Sequence, residues 1–402
     1  MKTGAMPIQD RPENELLLCC ARTRMDQEKV ERGHTLLRKG IDWPFLERMA
    51  CLHGLMPLLY KNIDTHFSED VPPLILNHLQ EWYVANARRN LLLVGQLLML
   101  LRLFKDNDIP VVPYKGAVLA ASVHGDITLR EFHDLDFLVQ QNHLLRARDL
   151  LLSRGYQLSV KSDGGDVVRQ NSQYEVGLVL AHAGIHVELK WDIINRYFAL
   201  PMDLEALWTR LKPVLIDGRT VYTFSPEDTL LILCIHGTKH LWTSLMWVTD
   251  VSELIQANPG LGWQWLWDLS NTLGSRRMLS LGLFLARGLL GTSLPEKVEQ
   301  RVEADSSVKK LAEVVSRRLF DQSNLSSSVW DSVTFHCRAR ERLSDRAKYG
   351  YRLLLTPTPN DRSLLETSSS LSALSSCIRP FRLAGKYGKD LAKRLLTTLN
   401  IL

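Results

Sequence analysis

The stretch REFHDLDFLV, residues 130–139, limits what this chain can fold into more than any other. Its last six residues have the texture of a buried strand, yet Asp134 and Asp136 interrupt it. Successive side chains on a strand point to opposite faces, so the two carboxylates share one face while Leu135, Phe137 and Val139 share the other. Adjacent carboxylates repel and lose hydration on burial. A fold keeps them only where water, a cationic side chain or a metal ion meets that face.

A second run answers the first. In GIHVELKWDI, His186, Glu188 and Lys190 alternate with Val187, Leu189 and Trp191. It follows YEVGLVL after turn residues around His182 to Gly184, so the two runs are expected to form an antiparallel hairpin, sharing one mixed sheet with the aspartate strand. If the strands are neighbours, Glu188 approaches Asp134 and Asp136. Three carboxylates suit Mg²⁺, which takes oxygen ligands and leaves positions for water and phosphate. Two such ions, with Mn²⁺ as a substitute, can clamp the attacking and leaving oxygens of a phosphoryl transfer. The plain alternative is an open sheet face neutralised by Arg130 or Lys190.

Upstream, DNDIPVVPYKGA turns from a short strand into an Ala-rich helix at Tyr114-Lys115-Gly116-Ala117. Glycine at such a corner lets backbone approach a ligand, the free N–H groups that follow favour phosphate, and Lys115 adds positive charge. By itself K-G before a helix also reads as an ordinary turn. Arg130 and His133 stand where they could meet phosphate oxygens; Arg130 could equally neutralise the aspartates. His236 and His240 share one face of an expected helix. Lys239 or His240 either reaches a nucleotide or, with Trp242 and Trp247, belongs to helix packing. Asp250 could fix one of these histidines. Trp263, Trp265 and Trp267 would spread around a helix start and read as core or interface residues rather than a platform for bases.

Around this centre the chain reads as helix. Apolar residues recur at three and four, as in Phe45, Met49, Leu52 and again in Ile75, Leu79, Trp82. SPED, Ser225 to Asp228, is a helix-start signature. The fold class expected is α+β, a small mixed-sheet core between helical regions. Residues 1–106 form the first helical region, 107–224 the α/β core, 225–375 the second helical region and 376–402 a basic amphipathic tail. Ser-rich segments, SSSVW and TSSSLSALSS, mark loosely packed stretches.

With 402 residues, 45% hydrophobic and 23% charged, the chain has ample material for packed cores, and a net charge of only +5 gives no argument for nucleic acid. Six scattered cysteines without C-x-x-C fit free thiols in a reducing compartment. The apolar run Leu91 to Phe104 is too short to span a bilayer and contains Gln96 and Arg102. A cytoplasmic protein is expected, with the tail either docked on its own protein or lying on an anionic membrane surface or a partner.

The order of parts resembles the polymerase-β-like nucleotidyltransferase superfamily, and more narrowly its bacterial family of uncharacterised nucleotidyltransferases. The matching residues are Lys115-Gly116, Arg130, Asp134-Leu135-Asp136-Phe137-Leu138-Val139, Gly155-Tyr156 and Val187-Glu188-Leu189-Lys190-Trp191, with further likeness through SPEDTLLILCIHGTKHLWTSLMWVTDV, PTPNDR and RPFRLAGKYG. The resemblance implies a nucleotidyltransferase core in which Asp134, Asp136 and Glu188 are catalytic and hold two Mg²⁺ ions. Lys115, Gly116, Ala117, Arg130, His133, Lys239 and His240 would line the nucleotide site. An NMP would pass from an NTP to an unidentified small-molecule, sugar or peptide acceptor with release of pyrophosphate, since members of the family are associated with polysaccharide and peptide natural-product clusters. Three departures stand out: Ala117 replaces the superfamily's Ser or Gly, the spacing from Gly116 to Asp134 is longer than in the compact polymerases, and Lys190 stands where the family often has His. Two alternatives remain: a γ-phosphotransferase using the same site, and a non-catalytic nucleotide- or metal-binding protein recruited to a membrane surface by its tail.

Overall fold

The structure, a computed structural model, describes residues 11–159, 175–194, 198, 200–320 and 329–355. The polar connection 161–169, most of the Ser-rich segments and the basic tail 376–402 lie outside the described residues. Five helices lead: α1 (Pro12–Cys20), α2 (Gln27–Leu37), α3 (Trp43–His53), α4 (Met56–His66) and the 34-residue α5 (Pro73–Asp106). The α/β part follows as β1 (Val111–Pro113), α6 (Gly116–Ser122), β2 (Asp134–Val139), α7 (Leu144–Ser153), β3 (Gln157–Leu158), β4 (Glu175–Leu180), β5 (Ile185–Lys190), α8 (Leu204–Thr209), β6 (Lys212–Ile216) and β7 (Arg219–Thr223). Helices α9 (Pro226–Lys239), α10 (Leu245–Ala257), α11 (Trp263–Leu273), α12 (Arg276–Leu290), α13 (Glu296–Glu303), α14 (Ser306–Phe320), α15 (Val329–Arg338) and α16 (Leu343–Leu355) complete the described chain.

The main sheet is mixed, in the order β1-β2-β5-β4-β3. Only β2 and β5 run parallel; the other neighbours are antiparallel, including the β4–β5 hairpin that the short turn predicts. The alternation of β2 explains its seat. Leu135, Phe137 and Val139 enter a core with Leu93, Leu97 and Phe104 of α5 and Leu151 of α7, where each large apolar side chain contributes about 1.5–3 kcal/mol by leaving water. The Phe104 and Phe137 rings meet edge to face with centroids 5.6 Å apart. On the opposite face Leu138 joins Val112, Tyr114, Phe224 and Ile232 of α9. The aspartates therefore open toward α9.

Ser225 caps α9 as the sequence predicts: its hydroxyl accepts from the Asp228 N–H. It also donates to the Asp228 carboxylate, which the Arg210 guanidinium clasps from the other side. A second sheet, the β6–β7 hairpin, turns at Asp217-Gly218, both in left-handed conformation. Helices from both ends of the chain share one core, in which Leu16, Leu46 and Leu58 pack with Leu230, Val251, Leu279 and Val315. Among the described residues no helix is long and apolar enough to cross a membrane.

Candidate active site

Asp136 of β2 and Glu188 of β5 are register partners, and Asp134 pairs with His186 one step along. Parallel pairing thus sets three carboxylates on one face. Ligand atoms of Asp134, Asp136 and Glu188 lie within 4.8 Å of one another, the one such group of metal-ligating side chains among the described residues. Across the hairpin, Gly177 of β4 stands opposite Glu188 and Glu175 opposite Lys190, so no side chain from β4 crowds Glu188 from the paired position.

Lys190 reaches back into this cluster. Its ammonium donates to Asp136 Oδ1, lies 2.7 Å from Glu188 Oε2 and 3.8 Å from Glu175 Oε2, and stands 5.8 Å from the centre of the Tyr114 ring. Burial works against that charge, but Tyr114, Asp136 and Glu188 hold Lys190 protonated well above the ordinary lysine range. The carboxylates respond unequally. Burial, then Asp136 and Glu188, push the Asp134 carboxyl up to about 6. Burial also disfavours the Asp136 anion, yet Lys190 and Lys115 hold its carboxyl below the usual range.

The corner after β1 delivers Lys115. Its φ of 61° and ψ of −152° fall in a region that side chains rarely occupy, at a strain of about 1–3 kcal/mol. Gly116 follows with a φ of 38°, and a Cβ there would lie 3.4 Å from the Asp134 carbonyl oxygen. The strained turn thus places Lys115 close over the aspartate strand. Lys115 Nζ donates to His236 Nδ1 of α9 at 3.2 Å. Burial, then Lys190, lower the Lys115 ammonium to about 8. Burial and the Lys115 charge hold His236 neutral, well below the usual imidazole range. His236, His240 and Trp247 form an aromatic cluster beside it, with ring centroids 4.5 to 5.6 Å apart.

The remaining residues expected at the site divide. Lys239 lies at the end of α9, where its charge acts on Lys115, and its carbonyl accepts from His336 Nε2 at 3.0 Å. Exposed His240 lies next along. His133 is exposed immediately before Asp134, whereas Ala117 faces the core beneath the sheet. Arg130 makes its side-chain contacts elsewhere than the aspartates: its Nε and Nη2 grip Asp250 of α10 at 2.8 and 2.9 Å, and His124 Nε2 donates to the same carboxylate at 2.9 Å. Asp250 therefore fixes Arg130 and His124 rather than His236 or His240. Burial opposes ionisation, but Arg130 and His124 bring the Asp250 carboxyl down to about 2. From the other side Asn90 Nδ2 of α5 donates to the carbonyls of Ile127 and Arg130. The segment leading to Asp134 is thus held by two helices.

Sequence reasoning passed over Glu175, although counting back from the Ala181–Gly184 turn puts it opposite Lys190. It also left the Lys115–His236 contact unread, for which no local pattern exists.

The donor set fits a hard divalent cation, because all three groups are carboxylates and lie close enough to share one ion. Among solved structures the chain is similar to ANT(2")-Ia in complex with adenylyl-2"-tobramycin, at 16% identity and a TM-score of 0.30 over 46% of this chain and 97% of that one. No curated protein matches the chain. The model of a family described as uncharacterised nucleotidyltransferase matches residues 39–291, which take in every element from α3 to α12 and with them the three carboxylates, the Lys115 corner and the α9 face. More than half of the sequence lies in that match, and the chain belongs to this family of uncharacterised nucleotidyltransferases.

Proposed function

We propose that this protein transfers a nucleoside monophosphate from an NTP to a hydroxyl of a small-molecule, sugar or peptide acceptor. The acceptor oxygen bonds to the α-phosphorus, the bond from that phosphorus to the α–β bridging oxygen breaks, pyrophosphate leaves, and the hydroxyl proton passes to a carboxylate of the cluster. The observation that carries this reading is the meeting of Asp134, Asp136 and Glu188 oxygens within 4.8 Å on two paired strands.

A divalent cation such as Mg²⁺ held by these three carboxylates would neutralise phosphate charge and lower the pKa of the acceptor hydroxyl. The chain's own side chains do the rest. Lys115, lifted over the aspartate strand by the strained corner, meets the triphosphate oxygens. Lys239, at the neighbouring end of α9, adds a second positive charge. Neutral His236 holds the Lys115 ammonium in place through Nδ1, so the lysine is positioned before substrate arrives. The His236–His240–Trp247 cluster offers ring faces beside the phosphate site, suited to a nucleobase or a flat part of the acceptor. Arg130, clasped by Asp250, orients the segment that ends at Asp134 and does not itself touch substrate.

The test is incubation of the full chain with each α-labelled NTP, Mg²⁺ and a host-cell metabolite extract. The expected result is labelled product and pyrophosphate, lost in Asp134→Asn and Glu188→Gln variants that keep their fold. Release of NDP instead of pyrophosphate would replace this reading with γ-phosphoryl transfer. Unchanged turnover in both variants would end it.

A further inference from the structure

We infer that the Lys190 ammonium takes the place of one of the two metal ions, so that this active site works with a single divalent cation per chain. The inference rests on the nucleotidyl-transfer reading above and specifies how that same site is charged.

A second ion would have to sit between Asp136 and Glu188, the two carboxylates that face each other in register. Lys190 is already bonded to both. The ammonium contacts take up one oxygen of each carboxylate that such an ion would need, and the charge of Lys190 already supplies there the neutralisation that a second ion would bring. Asp134 makes no such contact with Lys190 and, with the remaining oxygens of Asp136 and Glu188, leaves a set of donors for one ion.

Three observations keep the ammonium where it is. Lys190 is only 7% exposed and sits on a strand paired on both sides, to β2 and to β4. The Tyr114 ring, itself buried, lies 5.8 Å from the ammonium. Most telling is Glu175, which stands outside the metal-ligating group yet lies opposite Lys190 at 3.8 Å. It supplies Lys190 with an anion of its own once an ion has neutralised the other three. A lysine serving only to neutralise the three carboxylates would have no use for that fourth partner.

An ammonium neutralises carboxylates and donates hydrogen bonds, but it has no vacant position for the acceptor oxygen. One divalent cation held by the three carboxylates would lower the pKa of the acceptor hydroxyl, a neighbouring carboxylate would take its proton, and Lys190 would stay fixed on Asp136 and Glu188.

Equilibrium dialysis of the full chain against Mn²⁺ and a mixture of the four α,β-methylene nucleoside triphosphates, in excess salt, counts manganese and nucleotide per chain. The expected ratio is one manganese per bound nucleotide for the native chain, rising to two in Lys190→Ala, which removes the charge and opens space. Lys190→Gln serves as the second variant should the first fail to fold. Two manganese ions per nucleotide in the native chain would overturn the inference alone, as would a ratio of one in a folded variant. Neither metal nor nucleotide bound by the native chain would overturn the nucleotidyl-transfer reading, and this inference with it.

Discussion

Asp136 of β2 faces Glu188 of β5 across a parallel pairing, and Asp134 lies on the same face two residues earlier. That arrangement is unfavourable by itself. Asp134, with its carboxyl raised to about 6 mainly by burial and then by Asp136 and Glu188, is the member that loses most by ionising. Its folded-state pKa lies above the unfolded value, so the stability it lends in acid is lost as pH rises from about 4 through about 6. In EDTA at pH 8, Asp134→Asn should therefore stabilise the fold by about 1–2 kcal/mol after allowance for solvent screening, while pyrophosphate release with Mg²⁺ falls by roughly a thousandfold. Urea unfolding and turnover measured on one preparation check both halves. A variant that is less stable than the native chain in EDTA would contradict the electrostatic account.

Lys115 is expected to show the same opposition through its backbone. Its φ of 61° with ψ of −152° suits glycine and strains any other residue. Lys115→Gly should raise the unfolding free energy by about 1 kcal/mol. It should also depress turnover, because the ammonium that bonds His236 and meets the phosphates is gone. A variant both weaker and still fully active would show that the corner has no role in the site.

Much of this arrangement is legible in the sequence because it is periodic. The alternation of Asp134 to Val139 and of Ile185 to Lys190 assigns each side chain to a face, and the short turn at His182 to Gly184 fixes the hairpin that presents Glu188. The family resemblance supplies the neighbour relation of β2 and β5, which no local pattern carries. The β6–β7 hairpin went unread even though Asp217-Gly218 between two alternating runs is a strong local turn signal. Contacts made at long range leave no such trace: Arg130 and Asp250 are 120 positions apart, and an arginine beside two aspartates reads most simply as their partner until tertiary packing offers a third.

That pair makes its own prediction. Asp250 is fully buried and Arg130 nearly so, and two parallel hydrogen bonds join them. Asp250→Asn leaves a buried guanidinium uncompensated and should destabilise the fold by about 3–5 kcal/mol. Arg130→Lys loses the planar fork and should not be tolerated as a conservative change. Replacing both by apolar residues, Arg130→Met with Asp250→Leu, should recover a good part of the loss, since a paired buried ion bridge is often no better than well-packed hydrophobic side chains. A double-mutant cycle read by denaturant unfolding gives the coupling, and additive single effects would mean that the pair does not act as a unit.

Outside the carboxylate cluster, His53 sets a pH dependence of stability. It is 1% exposed; its Nε2 donates to the Leu319 carbonyl at 3.0 Å and its Nδ1 accepts from the Leu245 N–H at 3.3 Å, joining α3 to α14 and α10. Only the neutral ring satisfies both contacts, because a proton on Nδ1 would face a donor. Burial accordingly lowers its pKa to about 4, despite the opposing bond to Leu319. The unfolded chain takes up the proton first, at about 6.5. Stability contributed by the neutral ring is thus complete above that value and is lost as pH falls toward 4, by roughly 3 kcal/mol for this one group. Glutamine can donate and accept in the same places without titrating, so His53→Gln should flatten the decline between about pH 6.5 and 4. Urea unfolding at several pH values in that window makes the comparison, and parallel slopes for the two proteins would remove His53 as a cause.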